Sequence, residues 1–133
     1  MADRAAEVVR QLQHAKADRM KTATIHPDRV FRALSDWTRL RILNLLQGGE
    51  VCVCDLVGVL ESPQPTVSRH LAYLRKAGLV QARKDGVWAY YQLVPAKSDF
   101  ERAIRTCIDV CGSEPPFSKD ATLLRQRQSS CCE

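Results

Sequence analysis

The sequence predicts an α+β fold, mostly α, with the order α-α-α-α-β-β-α, and three observations carry that prediction. Apolar residues recur at helical spacing over most of residues 2–77. Two runs of strand-forming residues then flank Asp85-Gly86, a strong signal for a tight hairpin. One further helical stretch, residues 98–111, follows the hairpin. At 133 residues the chain has the length of one ordinary domain.

Taken in order, residues 2–20 read as a helix, with Ala6, Val9, Leu12 and Gln13 at helical spacing. A second helical stretch runs from about Asp28 to Leu46, carried by Val30, Phe31, Leu34, Leu40, Ile42, Leu43, Leu45 and Leu46. Ser35-Asp36 interrupts it and re-caps it, giving two segments, and Gly48-Gly49 ends it. Cys52 to Leu60 forms a short unit with Leu56, Val59 and Leu60. In residues 62–77, Ser62 is the expected N-cap and Pro63 the first helical residue. Val67, Leu71 and Leu74 make one buried stripe there, and Gly78 stops the helix. Ser98 or Asp99 caps the next helix, whose apolar face is expected to hold Phe100, Ile104, Cys107, Ile108 and Cys111. The expected organisation is therefore an N-terminal helical extension (1–25), a core domain (26–111) and a flexible cysteine-containing tail (112–133).

A composition 45% hydrophobic and 26% charged is that of a globular chain. No apolar run approaches a membrane span, and the N-terminus lacks the apolar centre of a secretory signal. A cytoplasmic protein is expected, with no membrane partner. Its net charge of +5 favours a polyanionic partner. In a reducing compartment six cysteines point to metal or redox chemistry rather than a disulfide framework.

Helix, short helix, turn, polar-faced helix and hairpin is the order of a winged helix-turn-helix. A recognition helix needs an apolar face for docking and a face of short polar and basic groups for the major groove. Residues 62–77 meet that requirement: Ser62, Gln64, Thr66, Ser68, Arg69 and His70 lie off the apolar stripe. Gln64 suits adenine and Arg69 suits guanine or phosphate. The hairpin tip adds Arg83 and Lys84 as a basic wing for the DNA backbone. A helical bundle with a solvated polar face would explain the helix but not the hairpin directly after it.

The segments "HPDRVFRALSDWTRLRILNLL", "EVCVCDLVGVLESPQPTVSRHLAYLRKAGLV" and "ARKDGVWAYYQL" closely resemble the ArsR/SmtB family of metal-sensing repressors, over roughly residues 26–111. The resemblance implies a homodimer, joined through its N-terminal and last helices, that binds double-stranded operator DNA without a cofactor and leaves it when an inducer binds. "CVCDL" resembles the inducer site of repressors for As(III) and Sb(III), and part of the site of cadmium and lead sensors. It implies Cys52 and Cys54 as ligands. The position at which the arsenic type often carries a third cysteine is Val57 here, which leaves the third ligand open among Cys107, Cys111, Cys131 and Cys132. A zinc-type site on the helix at 98–111 is not expected, because Asp99, Glu101 and Asp109 have no histidine beside them. No function is read from Trp37.

Thiolates select soft ions, and trivalent arsenic favours three. Positions two apart on a regular helix point to nearly opposite sides. Holding Cys52 and Cys54 on one ion is therefore expected to unwind the first helical turn and so move the recognition helix. A thiol enzyme is the competing class. It fails on the absence of a cysteine with a base, a phosphate loop or a catalytic constellation, His14 and His26 being isolated. A redox switch at CxC would need a strained disulfide.

Overall fold

The computed structural model describes residues 26–131, so the expected N-terminal extension and Cys132 lie outside the described residues. Helix α1 (Pro27–Leu34) starts with proline in its first turn, where the missing N–H has no intrahelical partner to lose. Asp36 then caps α2 (Trp37–Leu45) by accepting from the Arg39 amide at 3.0 Å. The Arg39 side chain donates back to the Ala33 and Arg32 carbonyls, at 2.7 and 3.1 Å, and satisfies the open end of α1. A single 3-10 turn (Leu46–Gly48) closes α2.

A strand not expected from the sequence follows. β1 (Val51–Cys52) is two residues long and leads directly into α3 (Val53–Leu60). Glu61, at φ +51°, ends α3 and turns the chain into α4 (Gln64–Lys76). Pro63, not Ser62, occupies the N-cap of α4: its extended ψ of 146° delays the first helical residue to Gln64. Ser62 is then too far back to cap, and its hydroxyl donates to the Leu60 carbonyl at 3.3 Å. Gly78, at φ +80°, leads into the hairpin of β2 (Val80–Asp85) and β3 (Trp88–Leu93). Asp85 pairs with Trp88, so the loop is Gly86-Val87, one residue later than Asp85-Gly86. The sheet is antiparallel in the order β1-β3-β2, with Val51 opposite Tyr91 and Cys52 opposite Tyr90.

Ser98 caps α5 (Asp99–Cys111), accepting from the Glu101 amide. Ile104 and Ile108 are buried, whereas Cys107 and Cys111 are exposed. Cys107 stands one residue, about 100° of helical turn, from the buried Ile108.

The expected loose tail differs most. Phe117–Cys131 is a fifteen-residue helix, α6, packed on α2 and α3. Phe117, Asp120 and Leu124 are buried along it. Its polar composition concealed this, because the polar members of the stripe have partners in the domain. Asp120, 2% exposed, accepts two bonds from Arg41 at 2.7 and 2.9 Å, and Asn44 donates to the Phe117 carbonyl. Trp37 packs on Phe117 with ring centroids 5.2 Å apart, which gives it a structural role. The core beneath these helices is built on Ile42, Leu43, Leu46, Leu56, Val67, Leu71, Leu74 and Val80.

Candidate DNA-binding face and cysteine pair

Helix α4 buries Val67, Leu71 and Leu74 and turns Gln64, Ser68 and Arg69 to solvent, with Thr66 half-buried beside them. The Arg69 guanidinium lies 3.5 Å from the Thr66 hydroxyl, so the two can present donors together. His70 points the other way: its Nδ1 stands 3.8 Å from the Asp36 carboxylate, across the α2 cap. Arg39 lies over the Tyr73 ring at 4.2 Å, which ties the start of α2 to the C-terminal part of α4.

The wing divides its two basic residues. Lys84 is exposed near the tip. Arg83 instead forms a two-pronged pair with Glu50, at 3.0 and 2.6 Å, and stacks over Tyr90 at 4.6 Å. Each partner shifts the other: the guanidinium holds the Glu50 carboxyl below its usual pKa, and the carboxylate raises that of Arg83. Arg83 thus fastens the wing to the segment just before β1. Sequence reasoning missed Glu50 because the two residues stand 33 positions apart.

The cysteine pair also differs from expectation. Cys52 is not inside the helix but at its N-cap, extended at φ −70° and ψ 142°, while Cys54 is the second helical residue. The bend between strand and helix brings their sulfurs to 3.0 Å without unwinding. Two thiolates bonded at about 2.3 Å to one tetrahedral ion stand roughly 3.8 Å apart, so the pair is close enough for a single soft ion to bridge once the sulfurs part slightly. Cys52 is buried and Cys54 half-buried. Tyr90, opposite Cys52 in the ladder, has its phenol raised above its usual pKa, first by desolvation and then by the charge of Cys52. Among the described residues, no group of three His, Cys, Asp or Glu side chains is placed to hold a metal ion.

Helix α6 reaches this pair. Arg127 lies 3.4 Å from the buried Asp55 carboxylate and donates to the Cys54 carbonyl at 3.4 Å. Its guanidinium occupies the space that a Cβ at Gly58 would need. Phe117, Asp120, Leu124 and Arg127 follow one another at steps of three and four, a helical stripe that was present in the sequence to be found.

Residues 36–82 match the model of the arsR family of bacterial regulatory proteins. The arsenical resistance operon repressor of Escherichia coli is 51% identical over 52% of this chain and 60% of its own length. A cadmium resistance transcriptional regulatory protein homolog of Staphylococcus aureus is 40% identical over 62% of this chain and 69% of its own. Among solved structures, the homodimeric winged helix-turn-helix DNA-binding domain of a possible ArsR-family regulator from Mycobacterium bovis superposes with a TM-score of 0.55. It is 28% identical and covers 77% of this chain and 85% of that one. With its polar α4 face, its wing and these relatives, the chain belongs to the arsR family of winged-helix transcriptional regulators.

Proposed function

We propose that this protein is a cytoplasmic, homodimeric repressor that binds operator DNA through α4 and the wing and is released when trivalent arsenic or antimony binds Cys52 and Cys54. The observation that carries the reading is the sulfur pair at 3.0 Å, seated where β1 becomes α3. From there two paths lead to DNA. α3 packs on the recognition helix α4, and β1 is hydrogen-bonded to β3 of the wing. An ion that pulls on Cys52 pulls on the strand that holds Tyr90, the residue on which Arg83 rests. The inducer therefore biases two DNA-contacting elements from one point. Gln64, Thr66, Ser68, Arg69 and Lys84 are the proposed DNA contacts. Ser62, His70 and Arg83 are engaged within the protein.

Relatives named for arsenical resistance support arsenic as inducer, and the one named for cadmium resistance supports a second reading, cadmium or lead at the same thiolates. The test uses purified, reduced protein on its own promoter fragment. Cys52→Ser and Cys54→Ser should each retain the operator and lose release by arsenite, because serine keeps the size and removes the soft anionic sulfur. Variants still released at the parental arsenite concentration would overturn the reading, and release of the parent by cadmium alone would select the second one.

A further inference from the structure

We propose that Arg127 is a positioning residue for the inducer response: it straps the first turn of α3 to α6, opposes movement of Cys54, and so sets the arsenite concentration at which the protein leaves DNA. This rests on the reading of Cys52 and Cys54 as the inducer site. The strap makes two polar contacts. Arg127 donates to the Cys54 carbonyl at 3.4 Å, and its Nε stands 3.4 Å from the carboxylate of the next residue, buried Asp55. Its guanidinium also lies where a Cβ at Gly58 would be, one turn further along α3, so the glycine provides its seat.

Helix α6 makes a tether of these contacts. Its first half is fixed to α2: Asp120 accepts two bonds from Arg41, Asn44 donates to the Phe117 carbonyl, and Trp37 packs on Phe117. Arg127 carries that anchorage across to α3. Beside it, Gly58, Val59 and Glu61 face Leu123 and Gln126 over a cleft rather than a packed seam, which leaves α3 room to shift once Arg127 gives way.

The direction of the effect follows from the sulfurs. They stand 3.0 Å apart, whereas two thiolates on one tetrahedral ion stand roughly 3.8 Å apart, so binding parts them. Cys52 is held in the ladder opposite Tyr90, and Cys54 lies in the turn that Arg127 straps. Moving that turn breaks the bond to the Cys54 carbonyl and leaves the Asp55 carboxylate buried without its cation, which disfavours the moved position. By linkage, an interaction made only in the resting position lowers inducer affinity by the factor with which it stabilises that position.

The test measures arsenite affinity on the reduced full-length protein by calorimetry and, separately, the arsenite needed for half-release from the promoter fragment. Arg127→Ala should bind arsenite roughly 2–10-fold tighter, the range of one net hydrogen bond, and be released by correspondingly less. Arg127→Lys, which keeps a cation and a donor, should fall between that variant and the parent. Gly58→Ala puts a methyl group where the guanidinium sits and displaces it, while alanine favours the helix. It should therefore tighten arsenite binding more in the parent than in the Arg127→Ala background, because both changes remove one strap. A residue that only held the fold would lower the urea midpoint without tightening arsenite binding. Equal or weaker arsenite binding in Arg127→Ala, or an effect of Gly58→Ala that is the same in both backgrounds, would overturn the proposal and leave the Cys52–Cys54 reading standing. Parental arsenite binding in Cys52→Ser and Cys54→Ser would instead remove the reading on which it rests.

Discussion

At the scale of single residues, the chemistry of a side chain and the partner it finds are separate matters, and Arg69 and Arg83 divide on that line. Among the described residues the Arg69 side chain bonds to Thr66, one helical turn away, and faces solvent. Arg69→Ala should weaken operator binding by about 1–3 kcal/mol if the guanidinium reads a base, as competition against random duplex would measure. An equal loss on random DNA would reassign it to phosphate. Arg83 is held by Glu50, and the carboxyl answers to pH. Its folded pKa is depressed, so the stabilisation of the pair is present above the ordinary glutamate value of about 4.3 and is lost as pH falls through the lower folded value. A carbon-detected titration should place Glu50 below that ordinary value, and Arg83→Gln should return it there. An ordinary value in the parent would mean the pair does not persist in solution. The residues of the α4 face were legible in the sequence because one helix period decides which side they occupy. The 3.0 Å sulfur contact was not, because it depends on β1, a two-residue strand created by pairing with β3 some forty residues later.

At the scale of elements, α6 decides what the cysteine pair has around it. Its apolar contribution is small, Phe117 and Leu124 being buried, at about 1.5–3 kcal/mol for each side chain. Specific docking comes from polar groups that find partners more than seventy residues earlier: Asp120 with Arg41, the Phe117 carbonyl with Asn44, and Arg127 with the Cys54 carbonyl. The long separation explains why a local reading took this stretch for a loose tail. It reads α2 through its Asp36 cap and α4 through its apolar spacing. Asp120→Asn keeps the shape and removes the charge opposite Arg41. It should cost about 1.5–3 kcal/mol of stability, the range for hydrogen bonds to charged groups, read as a lower urea midpoint with unchanged slope. No change in midpoint would mean that α6 docks without the pair.

At the scale of the whole molecule, the described surface leaves large apolar side chains that a lone chain gains nothing by exposing. Val110 on α5 is 67% exposed and Phe31 on α1 is 56% exposed, its ring edge-on to Phe100 at 5.7 Å. Ala103 and Cys107 stand exposed on α5 as well. A second copy of the chain, placed by a two-fold axis, would cover such a face with the same face. The same axis would duplicate α4, and a pair of recognition helices matches half-sites about 34–36 Å apart, one turn of DNA. Dimerisation and operator symmetry are then one property. Val110→Glu sets a charge on each side of the axis, so two like charges meet wherever the helices pair. The variant should sediment as a monomer at concentrations where the parent is a dimer. Its footprint should lose cooperative protection of the two half-sites, while each isolated domain keeps α4 and the wing intact. Footprinting the parent should reveal a near-palindrome with centres roughly 10 bp apart or a multiple of that. A Val110→Glu protein that remains dimeric and protects both half-sites would place the two-fold axis elsewhere on the surface.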